Sequence, residues 1–400
     1  MAVNITTVNE KGAPLSASEF DANFVNLKTA AEANESALAG KLGKTEQALD
    51  SAKLGGKSLE QIIPPYSNPL EGYASTDPAG ALGGGLLFGS LSGTNKWAGG
   101  VLAPNGKIYG IPFSATQILE FDPSTGTTNL IGSLSGTNKW AGGVLAPNGK
   151  IYGIPFNATQ ILEFDPSTGT TNLIGSLSSD TNKWRGGVLA PNGKIYGIPL
   201  NATQILEFDP STGTTNLIGS LSSDTNKWVA GVLAPNGKIY GIPYNATQIL
   251  EFDPSTGTTN LIGNLTETSK WVGGVLAPNG KIYGIPLNAT QILEFDPSTG
   301  TTNLIGSLSD TSKWMGGVLA PNGKIYGIPF SATQILEFDP ATGTTDLIGN
   351  LTGSSKWYGG VLAPNGKIYG IPFNATQILC IPYGNHGSQW WALSAYTNKF

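Results

Sequence analysis

KWAGGVLAPNGKIYGIPFSATQILEFDPSTGTTNLIGSL, residues 96–134, is the stretch whose reading decides the fold. It returns almost unchanged around Trp140, Trp184, Trp228, Trp271, Trp314 and Trp357, at successive spacings of 43, 44, 44, 43, 43 and 43 residues counted from Trp97. Self-similarity at a fixed period of this length marks a repeat architecture. Within one copy the punctuation separates four short strands. The first, Trp97–Ala103, ends at Pro104-Asn105-Gly106, a hairpin signal because Asn and Gly accept positive φ. The second, Lys107–Phe113, runs into the polar bend Ser114-Ala115-Thr116. The third, Gln117–Asp122, is closed by Pro123-Ser124-Thr125-Gly126, and the fourth is Thr127–Leu134. None of these segments is long enough for a stable helix. Four antiparallel strands per repeat are the pattern of a β-propeller blade. The expected fold is mainly β, a seven-bladed propeller of four-stranded antiparallel blades.

The side chains agree. Strands such as KIYGIP and QILEF are apolar on both faces, as a sheet held between two other sheets requires. Gly99-Gly100 and its copies suit an innermost strand, where backbones approach closely. Closure has two candidates, because both ends carry a copy of the fourth strand. Either Leu86–Leu91 or Trp391–Ser394 is expected to complete the blade that holds Cys380.

Composition narrows the function. The chain has 55 Gly and 26 Pro among 400 residues, only 12% charged residues and a formal charge of −5. Gly is well above its usual share of roughly 7%, so the chain turns often. Arg185 is the sole arginine, and no basic cluster exists to neutralise phosphates, so nucleic acid is excluded as a partner. One cysteine, Cys380, forbids an intrachain disulfide, and one histidine, His386, forbids a His-rich metal site. No apolar run is long enough to span a bilayer, and the first residues lack the layout of a secretory signal. The expectation is a soluble protein made in the cytoplasm, with no metal, no cofactor and no membrane insertion.

The first eighty residues read differently. Ser16 and Glu19 form a capping box, followed by Phe20, Phe24, Leu27, Ala31 and Leu38 on a heptad-like seam. This predicts a helix that oligomerises. The domains expected are therefore 1–60 for attachment and oligomerisation, a Gly- and Pro-rich linker at 61–85, and the propeller at 86–400.

The run PLSASEFDANFVNLKTAAEANESALAGKL, followed by SAKLGGKSLEQI, resembles the N-terminal part of tail-fibre proteins of tailed bacteriophages. The terminal LSAYTNKF is similar to endings of such fibres, and the repeats resemble generic propeller repeats of the form DPxTGxxxLIG. The resemblance implies a virion protein, a homotrimer joined through its N-terminus to other tail proteins. It also implies a distal propeller that recognises a host surface glycan or receptor.

Catalytic readings fare poorly on sequence. Glu120 and Asp122 recur in six blades, and six equivalent pairs do not supply the two unlike carboxylates a glycosidase needs. His386 has no acid or nucleophile at triad spacing, and Cys380 has no basic neighbour. The expectation is a protein that is not an enzyme; a polysaccharide-degrading tail enzyme and a passive collar are the alternatives. Asn-Ala-Thr at Asn157, Asn201, Asn245, Asn288 and Asn374 matches a glycosylation sequon and is taken as a polar bend.

Among the near-identical repeats Phe113, Phe156, Leu200, Tyr244, Leu287, Phe330 and Phe373 vary mildly and stay large and apolar, as a packing position should, but two places change freely. One is the residue after Trp: Ala98, Ala141, Arg185, Val229, Val272, Met315 and Tyr358. The other is the link before it: SGTN, SGTN, SSDTN, SSDTN, TETS, SDTS and TGSS. Free variation suggests an exposed face, so Arg185, Val229, Val272, Met315 and Tyr358 are the expected receptor contacts. The alternative is sugar stacking on Trp97, Trp140, Trp184, Trp228, Trp271, Trp314 and Trp357, with the adjoining lysines bonding hydroxyls. For assembly, Phe24→Asp with Leu27→Asp places charge in the seam and should leave monomers by light scattering; an intact oligomer would assign assembly to the propellers.

Overall fold

A computed structural model describes residues 87–381. The notional helix, the 61–85 linker, Trp391–Ser394 and His386 lie outside them. Seven four-stranded antiparallel sheets fill the described residues. In the first blade the strands are Trp97–Leu102, Ile108–Pro112, Ile118–Asp122 and Thr127–Ile131, from the innermost outward. Each is slightly shorter than the sequence suggests, because the bends use backbone groups for contacts between blades. The carbonyl of Phe113, for example, accepts the Lys139 N–H at 2.8 Å instead of continuing a ladder.

Antiparallel order fixes which loops share a face. The links before Trp, the start of each innermost strand and the bends after each second strand lie together on one face, the top face. The Pro-Asn-Gly turns and the Asp-Pro turns share the opposite face. The second strand, IYGIP, is buried throughout in every blade, whereas the outermost is half to fully exposed.

Two glycines set how closely the blades approach. Gly99, at φ +85°, would place a Cβ 3.3 Å from the Gly142 Cα, and the series continues through Gly359, whose Cβ would lie 3.4 Å from the Gly99 Cα. The ring is therefore closed. In the fourth blade Ala230 holds this place at φ 67°, a conformation that L side chains rarely adopt.

Blades are joined by the same aromatic contact at six of the seven seams, Ile381 standing in for the Phe in the seventh blade. Tyr109 stacks at an angle on Phe164 of the next blade, with ring centroids 5.0 Å apart, and five further Tyr–Phe pairs repeat this. Its hydroxyl donates to Glu120 Oε2 and accepts from Asn105 Nδ2, while Lys107 Nζ lies 2.9 Å from Glu120 Oε1. The recurrent Glu thus holds a Tyr and a Lys. Asp122 accepts from the Ser124 N–H and hydroxyl within its own turn, which holds its carboxyl below the usual range.

The seventh blade closes from the N-terminal side. Leu87–Phe88 pairs with Ile378–Ile381, Leu87 facing Leu379 and Phe88 facing Ile378. Phe88 reaches both Phe121 of the first blade and Tyr369 of the seventh, at 5.7 and 6.1 Å between centroids. Cys380 takes the place of the repeat Glu opposite Tyr369, and burial pushes its thiol up to about 11.

At the top of each seam sits a buried lysine. Lys96 Nζ donates to the carbonyls of Gly93 in its own link and of Phe373 and Ala375 in the preceding blade, at 2.9, 3.1 and 2.8 Å. Lys139 does the same with Gly136, Phe113 and Ala115. Lys183, Lys227, Lys270, Lys313 and Lys356 each bond a carbonyl of their own link. Each ammonium also lies about 6 Å from the indole that follows it. Beside it, Asn157 Oδ1 accepts the N–H of Asn182 across the seam at 2.7 Å, and Asn201, Asn245, Asn288 and Asn374 repeat the bond. The sequons are thus inter-blade links, a role beyond that of a polar bend.

Two predictions follow from this frame. Ala230→Gly relieves a positive φ and should stabilise the propeller by about 1 kcal/mol, seen as a higher melting temperature; a lower one would deny strain there. The second concerns pH. Burial lowers Lys96, Lys139, Lys270 and Lys356 from 10.5 to about 8, so the folded chain holds fewer protons than the unfolded one between those values. Their contribution therefore rises with pH through that window and is smallest below pH 8. Burial raises Tyr109, Tyr152, Tyr196, Tyr240 and Tyr283 from 10 to about 12, so their contribution is full below pH 10 and lost as pH rises through 12. Melting curves should therefore hold or rise from pH 8 to 10 and fall beyond; a steady fall from pH 8 contradicts this balance.

Candidate functional site at the channel mouth

The residues that follow each Trp start the innermost strands, so all seven point toward the propeller axis at the top face. Seven large side chains do not fit around one axis. The sequence meets this with Ala98 and Ala141 in the first two blades and larger residues in the others. Val229, Val272 and Met315 pack with Leu200 and Leu287 into one buried cluster, with Phe156, Tyr244, Phe330 and Tyr358 against it. Val229 is 2% exposed, Val272 3% and Met315 6%. The expectation that these residues stand on an exposed face is therefore corrected: variation at this position is imposed by packing around an axis.

Arg185 and Tyr358 are half-buried. Arg185 leaves the third blade and crosses to the seventh, where its Nε–H donates to the Tyr358 hydroxyl and its guanidinium carbon lies 4.9 Å from the ring centroid. One Nη2–H points at Met315 Sδ, 3.4 Å away. Burial raises the Tyr358 hydroxyl above its ordinary range, and so it stays protonated.

The bends supply the rest of the floor. Phe330, Phe373, Phe113 and Phe156 form a continuous arc over blades six, seven, one and two, with neighbouring centroids 6.0, 5.8 and 5.3 Å apart. All four are half-buried, and Tyr358 joins them 5.5 Å from Phe373. The sequence reading took these positions as packing alone. No local signal marks them, because Phe accompanies Ala in blades one and two but Met in blade six and Tyr in blade seven, and Val accompanies Tyr in blade four but Leu in blade five.

Sugar stacking on the seven indoles is ruled out by burial. Every Trp in the ring is 2–4% exposed, and its Nε1–H donates at 2.8 Å to a Gln carbonyl twenty residues on, as Trp97 does to Gln117. The adjoining lysines, caged by carbonyls, are not free to bond a sugar. The links, by contrast, are largely exposed, as expected. Among the described residues no cluster of His, Cys, Asp and Glu has the makings of a metal site, and no helix is long and apolar enough to cross a membrane.

The fold and the mouth together define a seven-bladed β-propeller with an asymmetric axial floor. No protein-family model matches the chain, and no curated protein matches it by sequence. Solved structures do. The streptogramin B lyase structure is 16% identical, with a TM-score of 0.65, over 74% of this chain and 95% of its own. Virginiamycin B lyase from Staphylococcus aureus is 12% identical, with a TM-score of 0.64, over 74% and 98%. Hydrazine synthase from Kuenenia stuttgartiensis is 14% identical, with a TM-score of 0.57, over 76% and 99%. Identity this low shows the fold alone. It also overturns the expectation of a non-enzymatic protein: lyases are enzymes built on this propeller, so the fold gives no ground for setting catalysis aside.

The packing account predicts that Met315→Ala costs about 2–3 kcal/mol in urea denaturation, as a buried side chain should. A loss under about 0.5 kcal/mol would return the position to the exposed surface.

Proposed function

We propose that the chain is a host-attachment protein of a phage tail fibre, whose propeller binds a surface glycan or receptor through its top face. One observation carries the reading. Blades that are otherwise near-copies diverge on this face in exposed links around the rim. The opposite face repeats its Pro-Asn-Gly and Asp-Pro turns almost unchanged. Binding surfaces sit on loops held by a rigid scaffold, and that is the arrangement of the links. The resemblance of residues 13–63 to fibre proteins supplies the context: attachment to other tail proteins, a homotrimer, and a virion location. Three heads on one fibre turn weak contacts into avidity.

The test uses fluorescently labelled full chain on a panel of bacterial strains. A subset should bind, and a variant whose links in blades seven, one and two are replaced by SSDTN should keep its melting temperature and lose adhesion. Equal adhesion by that variant, or no strain bound, would sink the reading.

A second reading, a propeller that cleaves surface polysaccharide, draws on the likeness to the lyases. Incubating the chain with purified polysaccharide from a bound strain and assaying new chain ends tests it directly. No new ends would end that reading.

A further inference from the structure

The channel mouth differs on its two sides, and the difference has a chemical sense. Over blades three to six the rim carries Asp180, Asp224, Glu267 and Asp310, and the floor from blade three to five is largely aliphatic: Leu200, Val229, Val272 and Leu287. Over blades seven, one and two the links hold Gly353, Gly93 and Gly136 and no acid, and the floor is the half-buried arc of Phe373, Phe113 and Phe156. Arg185 roots in the acidic half but extends its guanidinium into the other, onto Tyr358 of blade seven.

The charge of Arg185 is treated differently from the others described. The lysines of the Pro-Asn-Gly-Lys turns in the first six blades are paired with glutamates. The seven lysines before Trp are caged by carbonyls. Arg185 has neither an ion-pair partner nor a carbonyl among the bonds it makes in the described residues; a phenol and a thioether take one N–H each. A guanidinium has five N–H groups in a planar fork, so most of the fork remains for a ligand.

The geometry points to one site per propeller, on the neutral arc, for a sugar unit that carries a single anionic group, carboxylate or phosphate. The anion meets the open edge of Arg185, and the apolar face of the sugar ring lies on Phe373, Phe113 and Phe156. The acidic arc repels the same ligand and so sets which side it enters. This inference rests on the top face as the contact surface and names what that face selects.

Isothermal titration of the full chain with 3′-sialyllactose, trigalacturonate, glucose 6-phosphate, lactose and maltotriose tests it. At least one acidic probe should bind at one site per chain, and the neutral sugars at least tenfold more weakly. Carboxylate against phosphate probes then name the anion. Raising sodium chloride from about 50 to 500 mM should weaken the complex several-fold, a readout that needs no variant. Arg185→Gln should weaken it tenfold or more. Binding by no acidic probe, equal binding of neutral sugars, a stoichiometry near seven, or no salt effect would overturn the proposal. Adhesion to cells that depends on the links while every acidic probe fails would remove this inference alone; adhesion indifferent to the links would remove the reading beneath it.

Discussion

A buried ammonium at each blade seam, held by a carbonyl of its own link, at Lys96, Lys139, Lys270 and Lys356 also by the neighbouring blade, and capped by an indole, is the contact on which the propeller's top face depends. Carbonyls such as those of Ala115 and Gly136 take their bond from the ammonium, and a buried polar group without a partner is costly. Lys96, Lys139, Lys270 and Lys356 each satisfy two or three at once and tie a link to the neighbouring blade. They do so without an acid, so the seam carries a positive charge whose burial the carbonyl dipoles and the ring face offset only in part. The Asn and Ser bonds across each seam, which hold the link residue in its left-handed conformation, complete the joint.

A frame closed by seven like joints leaves one place where likeness fails. Side chains converging on an axis compete for a single volume, and close packing admits only a mixed set. Alanines in two blades leave room for phenylalanines from the bends, and an arginine spans from blade three to blade seven. The result is a floor with one charge and one aromatic side, on a scaffold whose sequence is nearly sevenfold. The asymmetry that selects a ligand and the asymmetry that lets the core pack have the same origin.

Much of this was legible in the sequence. The four strands, the blade number and the close glycine contacts follow from punctuation repeated seven times, because turn chemistry is local. Closure was not decided, since Leu87–Phe88 and the C-terminal copy carry matching words, and which one pairs depends on the whole ring. The residue after Trp was misread for a related reason. Arg185 meets Tyr358 and Met315 at separations of 173 and 130 residues, a coupling that no local pattern displays. The lysine had a visible signal: it stands before Trp in all seven copies while both the links and the following residue change. Strict retention beside free variation marks a structural joint.

The most direct test of the account is Lys139→Met, which keeps the apolar stem and removes the ammonium from the carbonyls of Phe113, Ala115 and Gly136. If caged ammonium groups hold the seams, chemical denaturation should show a loss of about 2–4 kcal/mol, more than an ordinary surface lysine would give. Stability equal to or above that of the parent would mean that the charge is a burden the fold tolerates, and that ring packing alone closes the propeller.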